Sequence, residues 1–87
     1  MYVITPYTLE RAKKVGLEVK PSEKKNKKID VYYEGEFLHS IGDKRYKDYP
    51  TYLQEEGKEK AKERRRLYHL RHTKKTLGEV LARYLLW

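Results

Sequence analysis

The spacing of apolar residues along this chain switches between helical and strand periods, and most of the switches are punctuated by glycine or proline. Thr8–Val15 follows Thr5 and Pro6, is closed by Gly16, and sets Leu9, Ala12 and Val15 at helical spacing. That is the grammar of a short helix with this stripe buried. Leu17–Lys20 alternates apolar and charged residues and stops at Pro21, which predicts a short strand, and Pro21–Lys28 predicts a turn-like loop. Ile29–Tyr33 and Phe37–Ile41 alternate again across Glu34-Gly35-Glu36 and predict a β-hairpin. In that hairpin Ile29, Val31 and Tyr33 share one face, Phe37, His39 and Ile41 share a face of the second strand, and Asp30 and Tyr32 point outward.

The second half is less regular until its end. Gly42–Gln54 carries Tyr46, Tyr49 and Tyr52, interleaved with Lys44, Arg45, Lys47, Asp48 and Pro50. It predicts an ordered loop whose rings pack onto the sheet and whose hydroxyls bond backbone; the other use for such rings is to stack unpaired bases. Lys58–His72 contains no Gly or Pro and is helix-compatible throughout. As one helix it puts Ala61, Arg65, Tyr68 and His72 along one side and Leu67 and Leu70 on another, so something must pack on both. In Thr76–Trp87 the helical period is clear, with Leu77, Val80, Leu81, Tyr84 and Trp87 along a stripe and Thr76 with Glu79 in the form of a capping box. The expected fold is a small α+β domain: a short N-terminal helix, a two- or three-stranded antiparallel sheet with a β-hairpin, the basic helix across it, and a C-terminal helix capping the core.

Eighty-seven residues suit one small basic domain, 1–87, with a thin core and marginal stability. Charged residues make up 39% and hydrophobic ones 38%, so the nine Tyr must supply much of the burial, and the core should be largely tyrosine and leucine. A net charge of +8 and a pI near 9.6 favour nucleic acid, an anionic membrane surface or an acidic protein as partner. The absence of cysteine excludes disulfides, thiolate zinc sites and a Cys nucleophile. The N-terminus has no signal-like pattern, and the longest apolar run, Tyr84–Trp87, is too short to cross a bilayer. A soluble, intracellular protein without a membrane partner is expected.

The candidate chemistry lies in the cations. Lys24, Lys25, Lys27 and Lys28 cluster before the hairpin, and Lys44, Arg45 and Lys47 flank the tyrosines. Lys58, Lys62, Arg64, Arg66 and Arg71 fan around the basic helix, with Lys74 and Lys75 just beyond it. A helix that is only solvated would alternate Glu and Lys at i,i+4, whereas here Glu59 and Glu63 are outnumbered. Arginine also stands where lysine would serve solubility, and its planar fork suits phosphate or carboxylate. These residues predict a phosphate-contacting nucleic-acid surface, which by themselves they do not assign to DNA or RNA, with an acidic protein as the alternative partner. His39, His69 and His72 offer three nitrogens, but His69 and His72 diverge by about 60° on a helix and lie among like charges that oppose a metal. His72 fits a partly buried hydrogen-bonding role better. With no paired carboxylates, phosphate loop or nuclease signature, no catalytic residue, metal or cofactor is expected.

Several segments carry a resemblance: Lys20-Pro-Ser22, Lys27-Lys-Ile-Asp-Val-Tyr32, Ser40-Ile-Gly42, Tyr46-Lys-Asp-Tyr-Pro-Thr-Tyr52, Arg64–His72 and Leu85-Leu-Trp87. Across roughly residues 12 to 87 the chain resembles a family of small basic proteins of large double-stranded DNA viruses. It departs between His72 and Trp87, where it is shorter and less aromatic. The family brings no activity to carry over. The resemblance implies a viral or phage-like origin, a place in the infected host cell or the virion, and a non-enzymatic role around genome or particle. The alternative role is a capsid-associated or regulatory subunit docking onto an acidic partner.

Overall fold

The structure is a computed structural model that describes residues 2–87. These residues form, in order, α1 (Pro6–Lys14), β1 (Leu17–Pro21), β2 (Lys27–Tyr33), β3 (Glu36–Asp43), α2 (Tyr49–Glu56), α3 (Lys58–Arg71) and α4 (Leu77–Leu86). The strands make one antiparallel sheet in the order β1-β2-β3. The α+β expectation holds, with helices at both ends and a third strand in the sheet.

The hairpin turns more tightly than its spacing suggests. Glu34 and Gly35 both have positive φ (48° and 82°), and Tyr33 pairs with Glu36, so the connection has the character of a two-residue primed turn. The register then shifts: Val31 faces His39 but Tyr32 faces Phe37, which makes Leu38 the extra residue of a bulge. The shift removes Phe37 from the face it was expected to share with Ile41. Phe37 is left exposed and meets Tyr32 edge-on at 5.6 Å, while Leu38 packs toward the core.

The core is aliphatic. Ile29, Val31 and Ile41 from the sheet meet Leu81, Leu85 and Leu86 from α4 and Ala12 from α1. Of the tyrosines, Tyr49 alone is buried; the others surround the core, because a phenol needs a partner for its hydroxyl and sits more cheaply at the boundary. Leu77 and Val80 are exposed, contrary to the predicted stripe. Helix α4 instead leans on the sheet through Gly78, where a Cβ would lie 2.8 Å from the His39 ring. Thr76 makes no side-chain cap bond. Glu79 is drawn away from the expected capping box by Arg83 (3.4 Å) and His72 (3.3 Å).

Helix α1 starts as expected, Thr5 Oγ1 accepting from the Thr8 amide at 3.4 Å with Pro6 in the first turn. Its inward face, however, is Thr8 and Ala12, while Leu9 and Val15 are exposed. The reason is what it packs against. The Thr8 hydroxyl donates to the Leu85 carbonyl at 2.7 Å and the Arg11 Nε to the Tyr84 carbonyl. Both carbonyls belong to the last turn of α4, which has no helical donors of its own.

Candidate nucleic-acid interface

The segment read as a loop contains α2. Asp48 is its N-cap, Oδ1 accepting from the Thr51 amide (3.1 Å) and hydroxyl (2.6 Å), and Pro50 sits in the first turn. On Oδ2 the same carboxylate accepts from the Tyr2 hydroxyl at 2.6 Å and from Lys28 Nζ at 2.9 Å. Burial opposes ionisation of Asp48, but Lys28 and the hydrogen bonds from Thr51 and Tyr2 outweigh it and hold the carboxyl below its usual range. Burial, and then Asp48, push the Tyr2 phenol well above its ordinary value.

Lys28 therefore is not a phosphate contact. It belongs to β2 and is 4% exposed, its ammonium spent on Asp48 and lying 5.3 Å from the Tyr2 ring. Its stem and Leu86 crowd Gly42, where a Cβ would meet Leu86 at 2.8 Å and which has φ +79°, so only glycine fits.

Helix α3 follows directly after Gly57, whose φ of 89° turns the chain out of α2, and the two helices pack on each other. The side predicted to be buried is the one that packs: Ala61 is fully buried and the Arg65 guanidinium lies 4.2 Å from the centre of the Tyr49 ring. Tyr68 stacks on Trp87 (4.3 Å, 7°) and on His72 (4.0 Å, 17°), so it is held between them. Burial and the nearby Glu79 raise the Tyr68 hydroxyl, which stays neutral at physiological pH. Leu70 has no covering partner and is 64% exposed.

Arg64, Leu67, Tyr68 and Arg71 recur at i, i+3, i+4 and i+7, and so form one face of α3. With Tyr52 of α2, Trp87 and the Tyr46-Lys47 turn, that face encloses an open groove of about 570 Å³. Its lining mixes the rings of Tyr46, Tyr52, Tyr68 and Trp87 and aliphatic side chains with the cations Lys47, Arg64 and Arg71, and includes one carboxylate, Asp43, which is paired to Arg45. Arg64 and Lys47 each lie 5.6 Å from the Tyr52 ring centre. Tyr46, expected to pack on the sheet, is 70% exposed, held only by its amide bond to the Asp43 carbonyl.

The remaining candidates divide by their partners. Arg45 forks onto Asp43 at 2.7 Å and lowers its pKa to about 2. Lys47 is shared by Glu55 (3.1 Å) and Glu56 (2.7 Å), and Arg66 pairs with Glu63 at 2.8 Å on an open surface. Among the described residues, Lys24, Lys25, Lys27, Lys44, Lys58, Lys62, Arg64, Arg71, Lys74 and Lys75 form no ion pair. Lys24 sits over Phe37 at 4.5 Å beside a shallow hollow with Lys20 and Tyr32, and this hollow shares no residue with the groove. Lys24 thus lies apart from the basic helix, whereas Lys28 of the same cluster lines the groove from its buried position.

Among the described residues no group of three His, Asp or Glu side chains is placed to hold a metal ion, and no helix is long and apolar enough to cross a membrane. Sequence reasoning missed Trp87 and Leu67 as parts of the groove. The i, i+3, i+4, i+7 recurrence from Arg64 was a signal for Leu67, but nothing local announced Trp87. No protein-family model, no curated protein and no solved structure matches this chain.

Proposed function

We propose that this protein binds nucleic acid without reading sequence, gripping phosphates through Arg64 and Arg71 and drawing on the surrounding lysines for long-range attraction. The observation that carries the reading is that these two arginines share one azimuth of α3, line the groove and have no ion-pair partner among the described residues. An unpaired guanidinium is weakly hydrated, and its planar fork of N–H donors is ready to donate to phosphate oxygens. The net charge of +8 adds a field that recruits a polyanion before contact. No catalytic step is assigned. The resemblance to small basic viral proteins favours DNA and a place near a viral genome or particle.

The test is a salt titration of DNA binding by the parent and by the Arg64→Gln/Arg71→Gln double variant. Parent affinity for arbitrary sequence should be micromolar or weaker at physiological salt and fall steeply from about 50 to 200 mM. The double variant should lose about two from the slope of log K against log salt. Identical titrations for the two proteins would remove this face from the interface, and affinity indifferent to salt would turn the reading to a protein partner.

A further inference from the structure

Phosphate contact alone leaves the groove's aromatic content without a purpose, and one ring in particular. Tyr52, Tyr68 and Trp87 are engaged with one another, Tyr52 and Trp87 at 6.3 Å and Tyr68 and Trp87 at 4.3 Å. Tyr46 lines the same groove and has no aromatic neighbour, and its ring is mostly in water. A large side chain left this exposed contributes little to the fold. It sits on a turn closed by its own amide bond to the Asp43 carbonyl, two residues before the buried Asp48.

Building on the phosphate reading above, we infer that the groove takes an unpaired nucleobase, stacked against Tyr46, with flanking phosphates on Arg64 and Arg71. Three features converge on this ligand. The volume of about 570 Å³ lies within the range of small-ligand sites, larger than a guanidinium or a lone phosphate needs. Arg64 and Arg71 stand seven residues apart, roughly 10 Å along the helix axis, which leaves space for a base between two phosphate grips. Aromatic floors with cationic rims are how single strands are held without sequence selection, since every base offers a π-face. In a duplex those faces are buried in the stack, and reaching them costs unpairing and unstacking. The substrate class is therefore single-stranded nucleic acid, in preference to duplex.

Trp87 is the one tryptophan, so its fluorescence reports on the groove directly. The experiment titrates the full chain with a thymidine oligonucleotide and with a duplex of equal length at one low salt concentration, following Trp87 emission and anisotropy of the labelled DNA. The single strand should bind more tightly than the duplex and quench Trp87. Tyr46→Ala should weaken the single strand roughly tenfold or more while leaving duplex affinity within about twofold, and Tyr46→Phe should restore it. The melting temperature of each variant should match the parent, because the Tyr46 ring is outside the core. Equal affinity for the two forms, with Tyr46→Ala silent and the salt slope intact, would overturn the base site and leave phosphate binding standing. Absence of binding to either form at low salt would overturn both readings.

Discussion

Lys28 and Arg64 come from stretches that look alike in the sequence, each a dense run of cations with few acids nearby. Lys28 is enclosed at 4% exposure, its charge matched by Asp48 at 2.9 Å, and that carboxylate is also held by Tyr2 and Thr51. Arg64 stands on a groove wall with an aromatic ring beside it and no acid paired to it among the described residues. One cation closes the fold, tying β2 to the start of α2. The other leaves its charge for a ligand. The difference teaches that a positive run is not a surface until its partners are known, because a buried, paired ammonium has no attraction left to offer a phosphate.

The comparison is tested most severely by removing the buried lysine. Lys28→Ala leaves Asp48 as a buried carboxylate without its cation and should destabilise by about 3–5 kcal/mol in chemical denaturation, whereas Lys25→Ala, on the open surface, should stay within about 0.5 kcal/mol. Equal losses at the two positions would mean that burial does not separate them.

Acid should act through the same cluster. The folded-state pKa of Asp48 is depressed, so its contribution is fully present above the ordinary carboxylate value near 3.9 and is lost as pH falls through the folded value. Melting temperature should therefore decline below about pH 4, and Lys28→Met should flatten that decline. The phenol of Tyr2 has the opposite sign: its raised pKa contributes below the ordinary value near 10 and is lost as pH rises past it. Asp43, Glu56 and Glu63 are also held low, by Arg45, Lys47 and Arg66, but they sit at the surface, where solvent screening leaves them little weight.

The smallest effects belong to α3 and separate its two faces. Arg65→Ala should cost about 1 kcal/mol, through the lost stem packing and cation–π contact over Tyr49. Arg64→Gln with Arg71→Gln should change stability by less than about 0.5 kcal/mol, because these side chains face the groove. Thermal melts of both variants decide it, and a large loss for the Gln pair would make that face structural.

Much of the secondary structure was legible because its signals are local. The helix of Lys58–Arg71, its buried side through Ala61, Arg65 and Tyr68, and the hairpin around Gly35 all follow from periods and turn residues within a few positions. Helix α2 was missed and read as a loop: Asp48 followed by Pro50 is a helix start, but three tyrosines amid charges hid it. The exposed Leu9, Val15, Leu77 and Val80 could not be foreseen. Their spacing fits a buried stripe, and only the docking of α1 onto the end of α4, and of α4 onto His39 through Gly78, chose different faces.

The sequence by itself determined where the chain coils, where it extends and which side of α3 is sticky, because backbone propensity and side-chain period act over one or two turns. Tertiary structure alone decided which cations remain free and where a groove opens. Asp48 lies 20 residues from Lys28 and 46 from Tyr2, and the stack of Tyr68 on Trp87 joins α3 to the residue that follows α4. Such partners meet only once the sheet and helices have packed. Electrostatic matching and ring stacking depend on distances of a few ångströms, which no local pattern encodes.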